Sequence, residues 1–274
     1  EAELLAVMKH VRFAAMAEAF VRETVGAWPA LGSVEGRDVL SNAVLPALGG
    51  AKVVPRWGFG PRLIYVVGGS SDNGHLSTVE LYDPQDASWK QLVDMAVPRY
   101  SHGCIALGGK LYAVGGLGAR NKDLDTAEVY DPQTDRWQPL AKMSTARFAL
   151  GLAAVGVKVY AIGGIGGVST LESVEAYDPQ LGAWAPVASM SVKRSYHASA
   201  VLDGKIYAMG GIDDDYDTID TVEVYDPQAD SWQRVASMPL GLFGHAAAAM
   251  GGKIYVTGGI NQARTAVSSA YVYD

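Results

Sequence analysis

Hydrophobic and polar positions change rhythm once along this 274-residue chain. Over the first 48 residues, apolar side chains recur at helical spacing. Leu4, Leu5, Met8 and Val11 share one face, and Met16, Phe20, Val21, Val25 and Trp28 form a second stripe. Pro29 stops that helix. Val39, Leu40, Val44 and Leu45 predict a third helix from about Glu35, ended by Pro46 and Gly49-Gly50. Residues 49–61 are punctuated by glycine and proline and read as a linker. From residue 62 onward the apolar positions fall into short strand-like runs.

Those runs repeat. LIYVVGG, LYAVGG, VYAIGG, IYAMGG and IYVTGG end in doublets at Gly68-Gly69, Gly115-Gly116, Gly163-Gly164, Gly210-Gly211 and Gly258-Gly259. An alternating run follows, as STVELYD, DTAEVYD, ESVEAYD and DTVEVYD. It sets Val79, Leu81 and their equivalents on one face, and Glu80, Glu128, Glu175 and Glu223 on the other. Asp-Pro-Gln comes next at Asp83, Asp131, Asp178 and Asp226, the chemistry of a type I turn. Trp89, Trp137, Trp184 and Trp232 stand seven residues after the tyrosines. The last run of each unit is rich in small residues (GCIAL, GLAAV, ASAVL, AAAAM), which suits strands crowding toward an axis.

Markers locked to one period of about 48 residues define an internal repeat. Each unit reads as a four-stranded antiparallel sheet, and such sheets arranged radially make a β-propeller. Strands are expected at 102–107, 110–116, 126–131 and 136–141, with the same pattern over 148–188 and 196–236. The first unit (63–93) is expected to lack its innermost strand and the last its outermost. The fold class is therefore mainly β, an incomplete propeller of five units after a short helical segment.

Charge and composition narrow the function. A net charge of −7 argues against a nucleic-acid partner. No apolar stretch is long enough to span a membrane. A single cysteine, Cys104, excludes an internal disulfide and suggests a reducing, cytoplasmic setting. Cys104 and the tryptophans read as core. His102, His197 and His245 occupy one repeat position, with Leu150 as the fourth member, so register explains them better than metal coordination. Arg99, Arg147 and Arg194 share another position, with Leu242 as its fourth member. They read as framework bonding carbonyls between units, or as ligand contacts. Asp213, Asp214, Asp215, Tyr216 and Asp217 form a charged run, read as a solvated loop or a contact for a basic partner. It lacks the calcium-loop pattern. There is no GxSxG, HExxH or P-loop, so no catalytic residue, metal or cofactor is expected.

Gly-Gly after an apolar strand, Tyr-Asp-Pro and the following Trp together resemble Kelch repeats over residues 62–274. ELLAVMKHVRF, the helix to Trp28-Pro29 and GRDVLSNAV resemble the C-terminal half of a BACK domain over residues 1–48. The combination is similar to the BTB-BACK-Kelch family. That resemblance implies a propeller of six blades, the last missing here; a propeller usually closes by pairing a C-terminal strand into its first blade, and that strand is not expected in this chain. It also implies an upstream BTB domain that forms a homodimer and binds a cullin-3-type scaffold. The chain would then be a non-catalytic substrate adaptor of a RING ubiquitin ligase, binding a protein substrate or peptide degron. An actin-binding or cytoskeletal Kelch scaffold and a Kelch-fold enzyme, such as a copper-radical oxidase, are the alternatives.

The resemblance places the loops after the doublets and the turns before the innermost strands around one mouth. Its candidate residues are Tyr100, Ser101, Arg120, Asn121, Phe148, Ser195, Tyr196, Asp213, Asp214, Asp215, Tyr216, Phe243, Asn261 and Arg264. The aromatics are either exposed anchors or packing between blades. The mouth would combine these aromatics with an acidic lobe from Asp213–Asp217 and a basic lobe from Arg120, Lys122, Lys193 and Arg194, suiting a short peptide of mixed charge.

Overall fold

The computed structural model describes residues 52–55, 63–72, 74–83, 87–268 and 270–273. The BACK-like segment expected over residues 1–48 lies outside them, as does most of the linker. The described residues form five blade sheets in chain order and one two-stranded hairpin. Blade 1 comprises β1 (Lys52–Pro55), β2 (Ile64–Ser71), β3 (Gly74–Asp83) and β4 (Ser88–Gln91). Blade 2 comprises β5 (Gly103–Leu107), β6 (Lys110–Val114), β7 (Ala127–Asp131) and β8 (Arg136–Pro139).

Blade 3 holds β9 (Gly151–Val155), β10 (Lys158–Ile162), β13 (Val174–Asp178) and β14 (Ala183–Val187). A small hairpin of β11 (Ile165–Gly166) and β12 (Ser169–Thr170) is inserted in it. Blade 4 is β15 (Ala198–Leu202), β16 (Lys205–Met209), β17 (Val222–Asp226) and β18 (Ser231–Val235). Blade 5 is β19 (Ala246–Met250), β20 (Lys253–Thr257) and β21 (Ala270–Tyr273). Blades 1 to 4 are four-stranded and blade 5 is three-stranded, each a simple antiparallel meander. The innermost strands β1, β5, β9, β15 and β19 pack on one another in that order, which makes the arrangement radial.

One expectation is corrected. Lys52–Pro55, read as linker, pairs antiparallel with Ile64–Val67 and supplies the innermost strand of blade 1. In later blades that strand joins the next through a two-residue turn, as at Gly108-Gly109 (φ 59° and 76°) and Asp203-Gly204 (φ 51° and 73°). Positive φ at both positions is the type I′ geometry that matches strand twist. In blade 1 residues 56–63 make the connection instead, so the local repeat pattern hides the strand.

The core lies between blades. Tyr65, Val67 and Val79 of blade 1 meet Leu111, Ala113 and Tyr130 of blade 2. Tyr112, Val114 and Val129, on the opposite face of blade 2, meet Leu152, Val159 and Tyr177 of blade 3. The same exchange joins blade 3 to blade 4 and blade 4 to blade 5. Both faces of β6, β7 and their equivalents are therefore buried, which explains their nearly continuous apolar runs. Each buried Val, Leu or Ile contributes about 1.5–3 kcal/mol.

Candidate partner-binding face

The repeat residues that look chemical are consumed by the framework. Arg99, Arg147 and Arg194 are fully buried. Gly116 N–H donates to the Arg147 carbonyl (2.8 Å), tying that residue to blade 2. The Arg147 guanidinium reaches into blade 3, donating to the carbonyls of Gly163 (3.0 Å) and Ser173 (2.9 Å) and to Glu175 Oε1 (2.8 Å). Glu175 also accepts from the backbone N–H groups of Ser144 (2.7 Å) and Thr145 (3.2 Å). Arg99–Glu128 and Arg194–Glu223 repeat the arrangement. Of the two readings of these arginines, the structure selects the framework one. Burial lowers each guanidinium pKa and the paired glutamate opposes it. At Glu223 burial raises the pKa, but hydrogen bonds from Ser191 and Arg194 outweigh it and hold the carboxyl below its usual range.

Glu128, Glu175 and Glu223 are thus interior groups, whereas Glu80 is exposed. Where Leu242 replaces the arginine, Tyr271 stands at the glutamate position of β21, and both belong to the apolar packing between blades 4 and 5.

The doublets serve the same joint. Gly163 has φ 54°, and a Cβ there would stand 2.5 Å from the Arg194 carbonyl oxygen. His102, His197 and His245 are buried against these glycines at three of the four blade boundaries, and Leu150 takes the same place between blades 2 and 3, as register requires. Among the described residues, no group of three or more His, Cys, Asp or Glu side chains could hold a metal ion. Burial lowers the His245 pKa to about 4; its ring nitrogens make no hydrogen bond, although the Met209 and Leu242 backbones lie near. The tryptophans are corrected from core to half-buried straps. Trp137, Trp184 and Trp232 donate to Val93 (3.0 Å), Ala141 (3.0 Å) and Ala188 (2.8 Å) carbonyls of the preceding blade. Cys104 is buried in the core between blades 1 and 2.

The turns before the inner strands and the loops after the doublets lie on one face. Tyr100 bridges Leu117, Phe148 bridges Ile165, Ser195 bridges Ile212 and Phe243 bridges Ile260. Beside them runs a chain of left-handed residues: Ser101, Ala149 and Tyr196 (each φ 51°) and Gly244 (φ 62°). Ala149 N–H donates to Ser101 O (2.9 Å), Tyr196 N–H to Ala149 O (2.9 Å) and Gly244 N–H to Tyr196 O (2.8 Å). These inter-blade bonds hold non-glycine residues in a conformation that costs about 1–2 kcal/mol each.

The loops themselves are pinned from blade to blade. His75 Nε2 bonds Asn121 Oδ1 (2.8 Å), and Gly167 N–H donates to Asp123 Oδ2 (2.8 Å). Thr170 N–H donates to Asp214 Oδ1, while Gln262 accepts from Thr218 N–H and donates to Asp217.

The candidate residues separate on this face. Tyr100, Ser101, Phe148, Tyr196 and Phe243 are half-buried, and Arg120, Asn121, Asp214, Asp215, Tyr216 and Arg264 are exposed. Tyr100 stacks on His75 (centroids 5.4 Å apart), and Tyr196 meets Phe243 edge-on at 6.4 Å. Arg264 lies 5.2 Å over the Phe243 ring and donates to the Tyr216 carbonyl (2.8 Å). Burial, then the neighbouring Tyr100 and Tyr216, push the Tyr196 phenol pKa up, so it stays neutral. Asn261 caps its own loop through Thr265 N–H (3.0 Å).

Two assignments fail. Ser195 is fully buried, its backbone paired with Ile212, and Arg194 belongs to the framework rather than to a basic lobe. The acidic run is also largely spent. Asp213 accepts from the N–H groups of Asp215 (3.0 Å) and Asp217 (2.9 Å), and Lys193 pairs with Asp214 at 3.1 Å. The Thr170 bond and Lys193 hold the Asp214 pKa below its usual range. Sequence reasoning missed His75, Asp123 and Gln262, the pins between loops. It also missed Val168, a fully exposed apolar residue in a glycine-rich loop.

The likenesses to known proteins fit this architecture. The solved structure of YjhT superposes with a TM-score of 0.69 at 15% identity, covering 80% of each chain, a likeness of fold alone. Kelch-like protein 40a of Danio rerio is 49% identical over 45 residues, which are 16% of this chain and 7% of that protein. The chain therefore matches only a small part of that relative's length. The KLHDC2/KLHL20/DRC7 Kelch-repeats domain matches residues 59–259, spanning all five doublets. With its repeats arranged as propeller blades, the chain belongs to that Kelch-repeat family.

Proposed function

We propose that this chain is a non-catalytic protein-binding module, the substrate-recognition part of a cullin-3-type RING ubiquitin ligase. The observation that carries the reading is a division of labour. Repeated Arg, Glu, His and Gly positions are used up inside, while half-buried aromatics and pinned loops share one face. Such a face is a rigid scaffold displaying variable loops, the arrangement expected of a binding surface. The sequence resemblance of residues 1–48 to a BACK domain adds the ligase connection, through a BTB domain in the full-length protein that forms the dimer and binds the cullin.

Affinity capture of the full-length protein tests this reading. Cullin-3-type scaffold should co-purify in stoichiometric amount, and that interaction should survive deletion of the propeller. Actin co-sedimentation without cullin would overturn the adaptor assignment in favour of a cytoskeletal scaffold.

A further inference from the structure

The rim of blades 2 to 4 carries three different chemistries in a fixed order. In blade 2, Arg120 and Lys122 are exposed, and their side chains make no hydrogen bond or ion pair among the described residues. In blade 3, Val168 sits fully exposed in the turn between β11 and β12. Turns of this kind favour Gly, Asn, Asp and Ser, and Val168 packs on nothing that would explain it. In blade 4, Asp215 is exposed with an unpaired carboxylate, next to Tyr216, which is 62% exposed. The nearby charges do not cancel this polarity. Lys193 is taken by Asp214 and lies near Glu172, Asp213 and Asp217 bond within the rim, and Arg264 is on the blade 5 side of Tyr216.

The three tips are also held in register. Lys122 adjoins Asp123, which binds Gly167 N–H beside Val168. Thr170, two residues beyond Val168, binds Asp214 beside Asp215. A pre-ordered surface lowers the entropy lost when a partner docks.

We propose that this rim is a linear docking track for an extended protein segment reading acidic, apolar, basic. Arg120 and Lys122 receive the acidic residue, Val168 with Tyr216 the apolar one, and Asp215 the basic one. The proposal rests on the receptor reading and narrows its substrate class by charge complementarity at both ends.

The test uses fluorescence anisotropy with the full chain and labelled synthetic peptides. One peptide carries glutamates, a central leucine and lysines in that order, separated by short Gly-Ser spacers. A composition-matched peptide has the leucine moved to one end. The ordered peptide should bind at least tenfold more tightly, and less tightly as salt rises. Val168→Asp, the pair Arg120→Glu with Lys122→Glu, and Asp215→Lys should each weaken it about tenfold with unchanged melting temperature. Asp215→Lys should regain binding to a peptide whose lysines are replaced by glutamates. Equal binding of the ordered and displaced peptides, or charge variants within twofold of wild type, would overturn the track. If cellular partners are still captured through Tyr100, Phe148 and Tyr196, the receptor reading stands without it.

Discussion

A buried arginine is tolerated here because both terminal nitrogens of its guanidinium have partners in the next blade, as Arg147 shows with Gly163, Ser173 and Glu175. Removing one member of a buried ion pair strands the other, at a cost of about 3–5 kcal/mol. Arg147→Leu or Glu175→Tyr alone should therefore destabilise by that amount in urea unfolding. The double variant should recover most of the loss, because Leu242 and Tyr271 already occupy these positions between blades 4 and 5. A double variant as unstable as the two losses summed would refute the pairing. His245 makes a separate prediction. Its folded pKa of about 4 lies below the unfolded value of 6.5, so the unfolded chain binds the extra proton first. Its contribution is complete above pH 6.5 and lost as pH falls toward 4. Stability should drop by about 2 kcal/mol between pH 7 and 5, and His245→Gln should remove that part of the slope. The framework role of the arginines was legible from Leu242 at the same repeat position. Their glutamate partners were not, since an alternating strand looks half-exposed until a second blade covers its other face.

At the level of strands and loops, the Gly-Gly doublets are joints between blades. Gly163→Ala adds a Cβ 2.5 Å from the Arg194 carbonyl at positive φ, so it should destabilise by well over about 1 kcal/mol. Ala149→Gly should do the reverse and raise the melting temperature, because φ 51° strains alanine but not glycine. The loop pins are testable by hydrogen exchange. Asp123→Ala should speed exchange at the Gly167 amide while leaving the amides of β10 unchanged. Strands of blades 2 to 4 were legible to within a few residues because their markers recur in phase. β1 was not, since four residues before an atypical connection carry no doublet, tyrosine or tryptophan. The pins were equally hidden, because each joins loops that have no sequence in common.

Across the whole molecule, four apolar slabs and three Arg–Glu pairs hold the blades in a radial array whose loop face is left to vary. The fold was legible because it depends on repeated positions. The site was only partly so. Tyr100, Phe148, Tyr196 and Phe243 could be placed on one face by register, whereas the burial of Ser195 and the capture of Asp213 by its own loop's N–H groups and of Asp214 by Lys193 depend on non-repeating contacts. The central claim is that repeated residues build the scaffold and the aromatic loop face binds the partner. Affinity capture with the full-length protein carrying Tyr100→Ala, Phe148→Ala and Tyr196→Ala tests it most directly, alongside a thermal melt. Loss of captured substrate proteins with a cooperative melt and retained cullin is the predicted result. Undiminished capture by that triple variant would contradict it.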